Sequence, residues 1–108
     1  TAPALPATTL ANNCYYGMFY NCTNLTTVPS LPATTLFDNC YQDMFRGCGK
    51  IKISTTNVGS YNNTYRVPFA GTGTVASNSL TDMFTGTGGT FTGTPTINTT
   101  YSTENQVI

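Results

Sequence analysis

The chain has 108 residues, of which only 7% are charged, and its four basic and four acidic side chains give a net charge of zero. Such a chain has no basic surface for nucleic acid, and it contains no run of about 18 apolar residues that could cross a bilayer. We therefore expect no nucleic-acid partner and no membrane insertion. The low charge, with abundant Thr, Asn, Ser and Gly, is typical of extracellular or surface proteins.

The first half of the chain is an internal repeat. Residues 1–26 and 27–52 align without a gap and are identical at 14 of 26 positions, including LPATTL in both copies. A fixed period of this size is typical of repeat architectures. A degenerate third copy, SNSLTDMFTGTGG, covers residues 77–89. The segment before it is 13 residues longer than the 26-residue period requires. The predicted organisation is two 26-residue repeats in 1–52, an insert plus a degenerate third repeat in 53–92, and a C-terminal cap in 93–108.

The hexapeptide LPATTL has two interpretations. LPxT opens a sortase signal, but Thr9 and Thr35 stand where that signal needs Gly, and the motif occurs twice in mid-chain. We therefore interpret it as a bend that each repeat builds once.

Each repeat then predicts a short helix. Pro6 and Pro32 exclude a helix from the repeat's start, whereas Cys14, Met18 and Cys22 recur at i, i+4 and i+8, as on one face of a helix. Asn12 or Asn13, Asp38 and Ser77 are suitable N-caps, and Asn21, Gly47 and Gly86 suit the helix ends. The predicted helices cover 12–20, 38–46 and 78–85. The predicted structural core comprises Cys14, Met18, Phe19, Cys22, Cys40, Met44, Phe45, Cys48, Met83 and Phe84.

A short alternation of apolar and polar residues follows each predicted helix. It covers 25–28, 50–53 and 90–92 and is typical of strands. Three such strands stacked in parallel beside three helices would form an α/β solenoid of about three strand–helix coils. We expect residues 53–76 and 93–108 to fold back over its last coil, because the end of an array must be closed against water.

The motif between helix and strand resembles a known family. FYNCTNL at 19–25 and FRGCGKI at 45–51 are similar to the Phe-x-Gly-Cys-x2-Leu run of the BspA-like leucine-rich repeats of bacterial surface proteins, and FTGT at 84–87 matches in part. The resemblance implies a leucine-rich-repeat-like coil, a place on a bacterial surface or a phage particle, and no catalytic residues.

The four cysteines allow more than one interpretation. Pairs Cys14–Cys22 and Cys40–Cys48 could form disulfides within a unit, but eight helical residues span about 12 Å, against roughly 4.4–6.8 Å between bridged Cα atoms. We favour buried free thiols, with a contact between Cys14 and Cys40 as a minor option. Zinc is not expected, because the spacing is unusual and the chain has no His.

Catalysis is not expected either. Without His, no Cys–His or Ser–His–Asp arrangement can form. Asp38 is explained as a helix cap, and Asp43 and Asp82 hold the same solvent-facing repeat position. No cofactor-binding motif is present, so we expect a protein that is not an enzyme and carries no cofactor.

Tyr16 and Tyr20 are the candidate ligand contacts. They lie four residues apart, turned away from the cysteines, and the next repeat has Gln42 and Arg46 in their places. The sequence thus predicts an adhesion or recognition module that binds a protein or a glycan; the alternatives are a carbohydrate-binding module that uses these tyrosines and a structural spacer. Because residues 1–10 already have the repeat sequence, we also expect possible self-association through the N-terminal coil.

Overall fold

The computed structural model describes residues 3–108, and within this range it contains five short strands and no helix. The strands are β1 (Thr27–Val28), β2 (Ile53–Ser54), β3 (Asn63–Arg66), β4 (Thr100–Thr103) and β5 (Gln106–Val107). The predicted α/β leucine-rich-repeat-like solenoid is therefore wrong, and all three predicted helices are absent.

Consecutive tight turns replace the predicted helices. They form three segments that we call the first, second and third turn units, at residues 12–21, 38–47 and 77–86. Within a unit, every second N–H donates to the carbonyl three residues back, as Met18 does to Tyr15 over 3.2 Å. The remaining N–H groups point out of the ribbon, so the i to i−4 bonds that define an α-helix cannot form.

A left-handed residue at every fourth position makes this ribbon possible. The first unit has positive φ at Asn13, Gly17 and Asn21, with values of 62°, 57° and 58°. The equivalent residues of the other units are Asn39, Asp43, Gly47, Asn78, Asp82 and Gly86, which also have positive φ. Gly, Asn and Asp are the residue types that tolerate this conformation. Four residues that we interpreted as helix caps or ends, namely Asn13, Asn21, Gly47 and Gly86, therefore set the turns, whereas Asp38 and Ser77 do not have positive φ and cap no helix.

The three turn units lie side by side in register and in the same direction. The outward N–H groups of the first unit donate to carbonyls of the second, as Phe19 does to Met44 over 3.0 Å. The second unit donates to the third in the same way, as Phe45 does to Met83 over 3.0 Å. Five such bonds join each pair of neighbouring units. Equivalent positions of the sequence repeat therefore form equivalent hydrogen bonds.

The strands do not stack in parallel as predicted. β1 pairs in parallel with β5, whereas β2 and β3 flank β4 in an antiparallel sheet. In the predicted third strand, only Phe91 pairs, through a single bridge to Ile53. Because β4 and β5 come from residues 100–107, the C-terminal segment fills places that the prediction assigned to repeat strands.

The buried side chain of Asn105 joins the C-terminal segment to both linkers, the segments that connect the first turn unit to the second and the second to the third. Its amide nitrogen donates to the carbonyls of Thr26, at 2.7 Å, and Lys50, at 3.1 Å. Its oxygen accepts from the N–H of Lys52 at 2.7 Å and from the Thr103 hydroxyl at 3.1 Å. The predicted cap thus lies along the linkers, and its residues Gly93 and Thr94 alone bond the edge of the third unit.

The core runs through all three turn units. Leucines of both LPATTL copies are buried, which supports a structural role for that motif. Seven of the ten predicted core residues are buried: Phe19, Cys40, Met44, Phe45, Cys48, Met83 and Phe84. The prediction is wrong for Cys14, Met18 and Cys22, which are exposed because they lie at the uncovered edge of the first unit.

Candidate functional site: the outer face of the turn units

The four-residue period of the turns sorts side chains into an inner and an outer face. In the second unit, Cys40 and Tyr41 are buried, Gln42 and Asp43 are partly exposed, and the next two residues are buried again. We call the side of the turn units that carries Tyr16, Tyr20, Gln42, Asp43, Arg46 and Asp82 the outer face.

The two predicted ligand contacts are both on the outer face. Tyr16 is 50% exposed and Tyr20 is 49% exposed. Because neighbouring units are in register, Gln42 occupies the place next to Tyr16, and Arg46 the place next to Tyr20. The face therefore presents two aromatic rings beside an amide and a guanidinium group.

Arg46 joins two units electrostatically. Its Nη1 lies 3.4 Å from Oδ1 of Asp43 in its own unit and 3.3 Å from Oδ2 of Asp82 in the third unit. The Arg46 side chain is 41% exposed, so these pairs contribute little stability. Both pairs involve Nη1, and no hydrogen bond within residues 3–108 involves Nη2 or Nε of this residue.

All four cysteines are free thiols. Cys14 and Cys22 are exposed, whereas Cys40 and Cys48 are buried, and burial raises the pKa of each buried thiol to about 11. The Cys48 thiol also donates to the carbonyl of Phe19 at 3.0 Å. These two thiols are therefore un-ionised at neutral pH and are poor nucleophiles.

Tyr41 of the second turn unit and Tyr65 of β3 are fully buried tyrosines. The Tyr65 hydroxyl donates to the carbonyl of Pro29 over 2.8 Å, and the Tyr41 hydroxyl has no partner within residues 3–108. Burial raises the pKa of both phenols, so neither exchanges a proton near neutral pH. They act as core side chains.

Residues 3–108 contain no grouping of three or more His, Cys, Asp or Glu side chains that could hold a metal ion. The same residues form no helix that is long enough and apolar enough to span a membrane.

No family model, no curated protein and no solved structure matches the chain. The resemblance to BspA-like repeats thus depends on the quoted motif alone.

The sequence analysis identified Tyr16 and Tyr20 on the outer face, but it missed the left-handed turn positions that hold this face in place. Asn, Asp or Gly recurs at every fourth position of each unit, as Asn39, Asp43 and Gly47 do in the second. This spacing was visible in the sequence, and it would have distinguished a turn ribbon from a helix.

Proposed function

We propose that this chain is a non-enzymatic recognition module that binds a protein or glycan ligand through the outer face of its turn units. The observation that carries the proposal is the exposure of Tyr16 and Tyr20, about half of each side chain, on a face whose position is fixed by two rows of hydrogen bonds. Tyrosine is enriched in binding surfaces because it offers a large, rigid ring with a polar end.

The neighbouring groups suit a polar ligand such as a glycan. A tyrosine ring can pack against the apolar face of a sugar, while Gln42 and Arg46 offer N–H donors and Asp43 an acceptor for its hydroxyl groups. The hydrogen bonds between units hold the backbone positions of these groups in register.

The absence of enzymatic activity is also part of the proposal. It is supported by the lack of His in the sequence and by the pairing of the acids Asp43 and Asp82 with one arginine.

We further propose that the module acts at a bacterial surface or on a phage particle. The low charge of 7% and the two FxxC motifs that resemble bacterial surface repeats support this location.

Binding to a glycan array and to bacterial surface extracts tests the proposal. The double variant Tyr16→Ala/Tyr20→Ala should lose binding, whereas Phe69→Ala should retain it, because Phe69 is an equally exposed aromatic residue (51%) outside the turn units. Equal binding by both variants would contradict the assignment of the outer face. Absence of any bound ligand would favour a structural spacer.

A further inference from the structure

One edge of the first turn unit presents a row of unpaired carbonyl groups. In the second unit, alternate carbonyls such as those of Cys40 and Met44 accept N–H groups from the first unit. The equivalent carbonyls of the first unit belong to Asn12, Cys14, Tyr16, Met18 and Tyr20. Within residues 3–108 no N–H group donates to any of them.

The side chains along this edge match those that a neighbouring unit covers elsewhere. Met18 is 44% exposed, whereas Met44, in the same position of the second unit, is fully buried. Cys14 and Cys22 are exposed, and their equivalents are both fully buried. The edge of the first unit therefore continues the interface between the units, with the same residue types and the same spacing of acceptors.

The opposite edge of the three units is covered in part by the C-terminal segment, which within residues 3–108 accepts from two of the five outward N–H groups of the third unit. The N–H of Asp82 donates to the Thr94 hydroxyl at 3.0 Å, and the N–H of Phe84 donates to the carbonyl of Gly93 at 2.9 Å. A second copy of this chain would have to displace Gly93 and Thr94 before its third unit could donate to the open edge. Two open edges cannot pair with each other, because both offer only acceptors.

We infer that the open edge is a docking surface for one further turn unit of the same sequence type, other than the third unit of a second copy. The occupant offers alternate N–H groups from a ribbon with Asn, Asp or Gly at every fourth position, as the first unit does to the second. Its docking forms five N–H···O bonds and covers Met18 and both exposed thiols. The inference is independent of the ligand proposed for the outer face.

Thiol reactivity of an extended chain tests this inference. A further copy of residues 27–52 is placed directly before Thr1, with Ser and Thr at its two cysteine positions, as at Ser79 and Thr87 of the third unit. In the chain without the extra copy, Cys14 and Cys22 should react rapidly with a disulfide reagent, and Cys40 and Cys48 slowly. In the extended chain the number of rapidly reacting thiols should fall from two to none.

The matched control carries the same 26 added residues in scrambled order and should keep both thiols rapidly reactive. Amide exchange of Tyr41 and Phe45, whose N–H groups bond to the third unit, checks that the host fold is intact in each chain. Two reactive thiols in an extended chain with an intact host fold would overturn the inference. A stable dimer of the unextended chain in which Cys14 is protected would also overturn it, since the occupant would then be a second copy.

Discussion

The rings of Phe19 and Phe45 lie parallel, with centroids 5.7 Å apart and planes at 5°, although 26 residues separate them in the chain. Phe84 continues the stack on the other side of Phe45, at 5.6 Å and 6°. Each ring comes from the same position of a different turn unit. The repeat thus places identical side chains next to each other, and the aromatic stack contributes to the packing that holds the units in register.

Replacement of Phe45 by alanine should reduce the free energy of unfolding by about 3–5 kcal/mol. The ring is fully buried between two phenylalanines and packs edge-on with Tyr65, so its removal leaves a cavity and loses contacts with three rings. Tyr16→Ala should change stability by no more than about 0.5 kcal/mol, as at an exposed site. Urea unfolding of both variants measures the difference, and equal losses would mean that the inner and outer faces are assigned wrongly.

A pair of substitutions at Asp43 separates the turn ribbon from a helix. Both Asp43→Gly and Asp43→Ala remove the carboxylate that pairs with Arg46, so the two variants differ only in what the backbone tolerates. Because φ at this residue is 57°, the glycine variant should be the more stable by roughly 1–2 kcal/mol. In a helix, alanine would be the more stable by about 1 kcal/mol. Thermal or urea melts that place alanine above glycine would contradict the ribbon.

The four-residue spacing of Cys14, Met18 and Cys22 shows why the repeat was predictable and its local structure was not. The alignment correctly indicated that Phe19 and Phe45 occupy equivalent places, because a gapless period places like residues side by side. A spacing of four, however, fits both a helix of 3.6 residues per turn and a ribbon of exact period four. Only the left-handed positions, such as Gly17, distinguish the two.

The path of the C-terminal segment could not be predicted for a different reason. β5 pairs with β1 through Thr27 and Gln106, and β4 pairs with β2 through Ile53 and Thr103. These short strands have no repeat partner and no extended alternation, so their pairing depends on long-range contacts that leave no local pattern. The exposure of Cys14 has a similar origin, because it reflects the edge of the stack rather than the residue type.

Asn105→Ala should destabilise the protein far more than its short side chain suggests. The substitution leaves the part-buried N–H of Lys52 and the part-buried carbonyls of Thr26 and Lys50 without their partner. A fully buried unsatisfied group costs about 1–3 kcal/mol, so we expect a loss of about 1–3 kcal/mol for the three together. Asn62→Ala is the control, because Asn62 is exposed and its side chain makes no hydrogen bond within residues 3–108. Urea midpoints compare the two variants, and similar midpoints would show that Asn105 does not join the linkers.

Stability should fall as the pH rises above about 9. Cys40 and Cys48 have an ordinary pKa of 9.0 when unfolded and a pKa of about 11 when folded, because burial disfavours the thiolate. The unfolded chain therefore loses these protons first, so their contribution to stability is complete below pH 9 and is lost as the pH approaches 11. Urea midpoints between pH 8 and 10 should decline less steeply in Cys40→Ala/Cys48→Ala.

The matching control for the pH dependence is Cys14→Ala/Cys22→Ala, which removes the two exposed thiols. It should keep the full decline of the wild-type chain. A decline that disappears in the control rather than in the variant of the buried pair would show that the wrong thiols were assigned to the core.

The central claim is that the N–H groups of one turn unit donate to the next unit rather than back along a helix, and scalar coupling across hydrogen bonds tests it most directly. In a ¹⁵N,¹³C-labelled chain, a long-range HNCO experiment should correlate the amide of Phe19 with the carbonyl of Met44, and the amide of Phe45 with that of Met83, the donors and acceptors being 3.0 Å apart in both pairs. Correlation of Phe19 with the carbonyl of Tyr15, four residues back, would identify a helix and contradict the account.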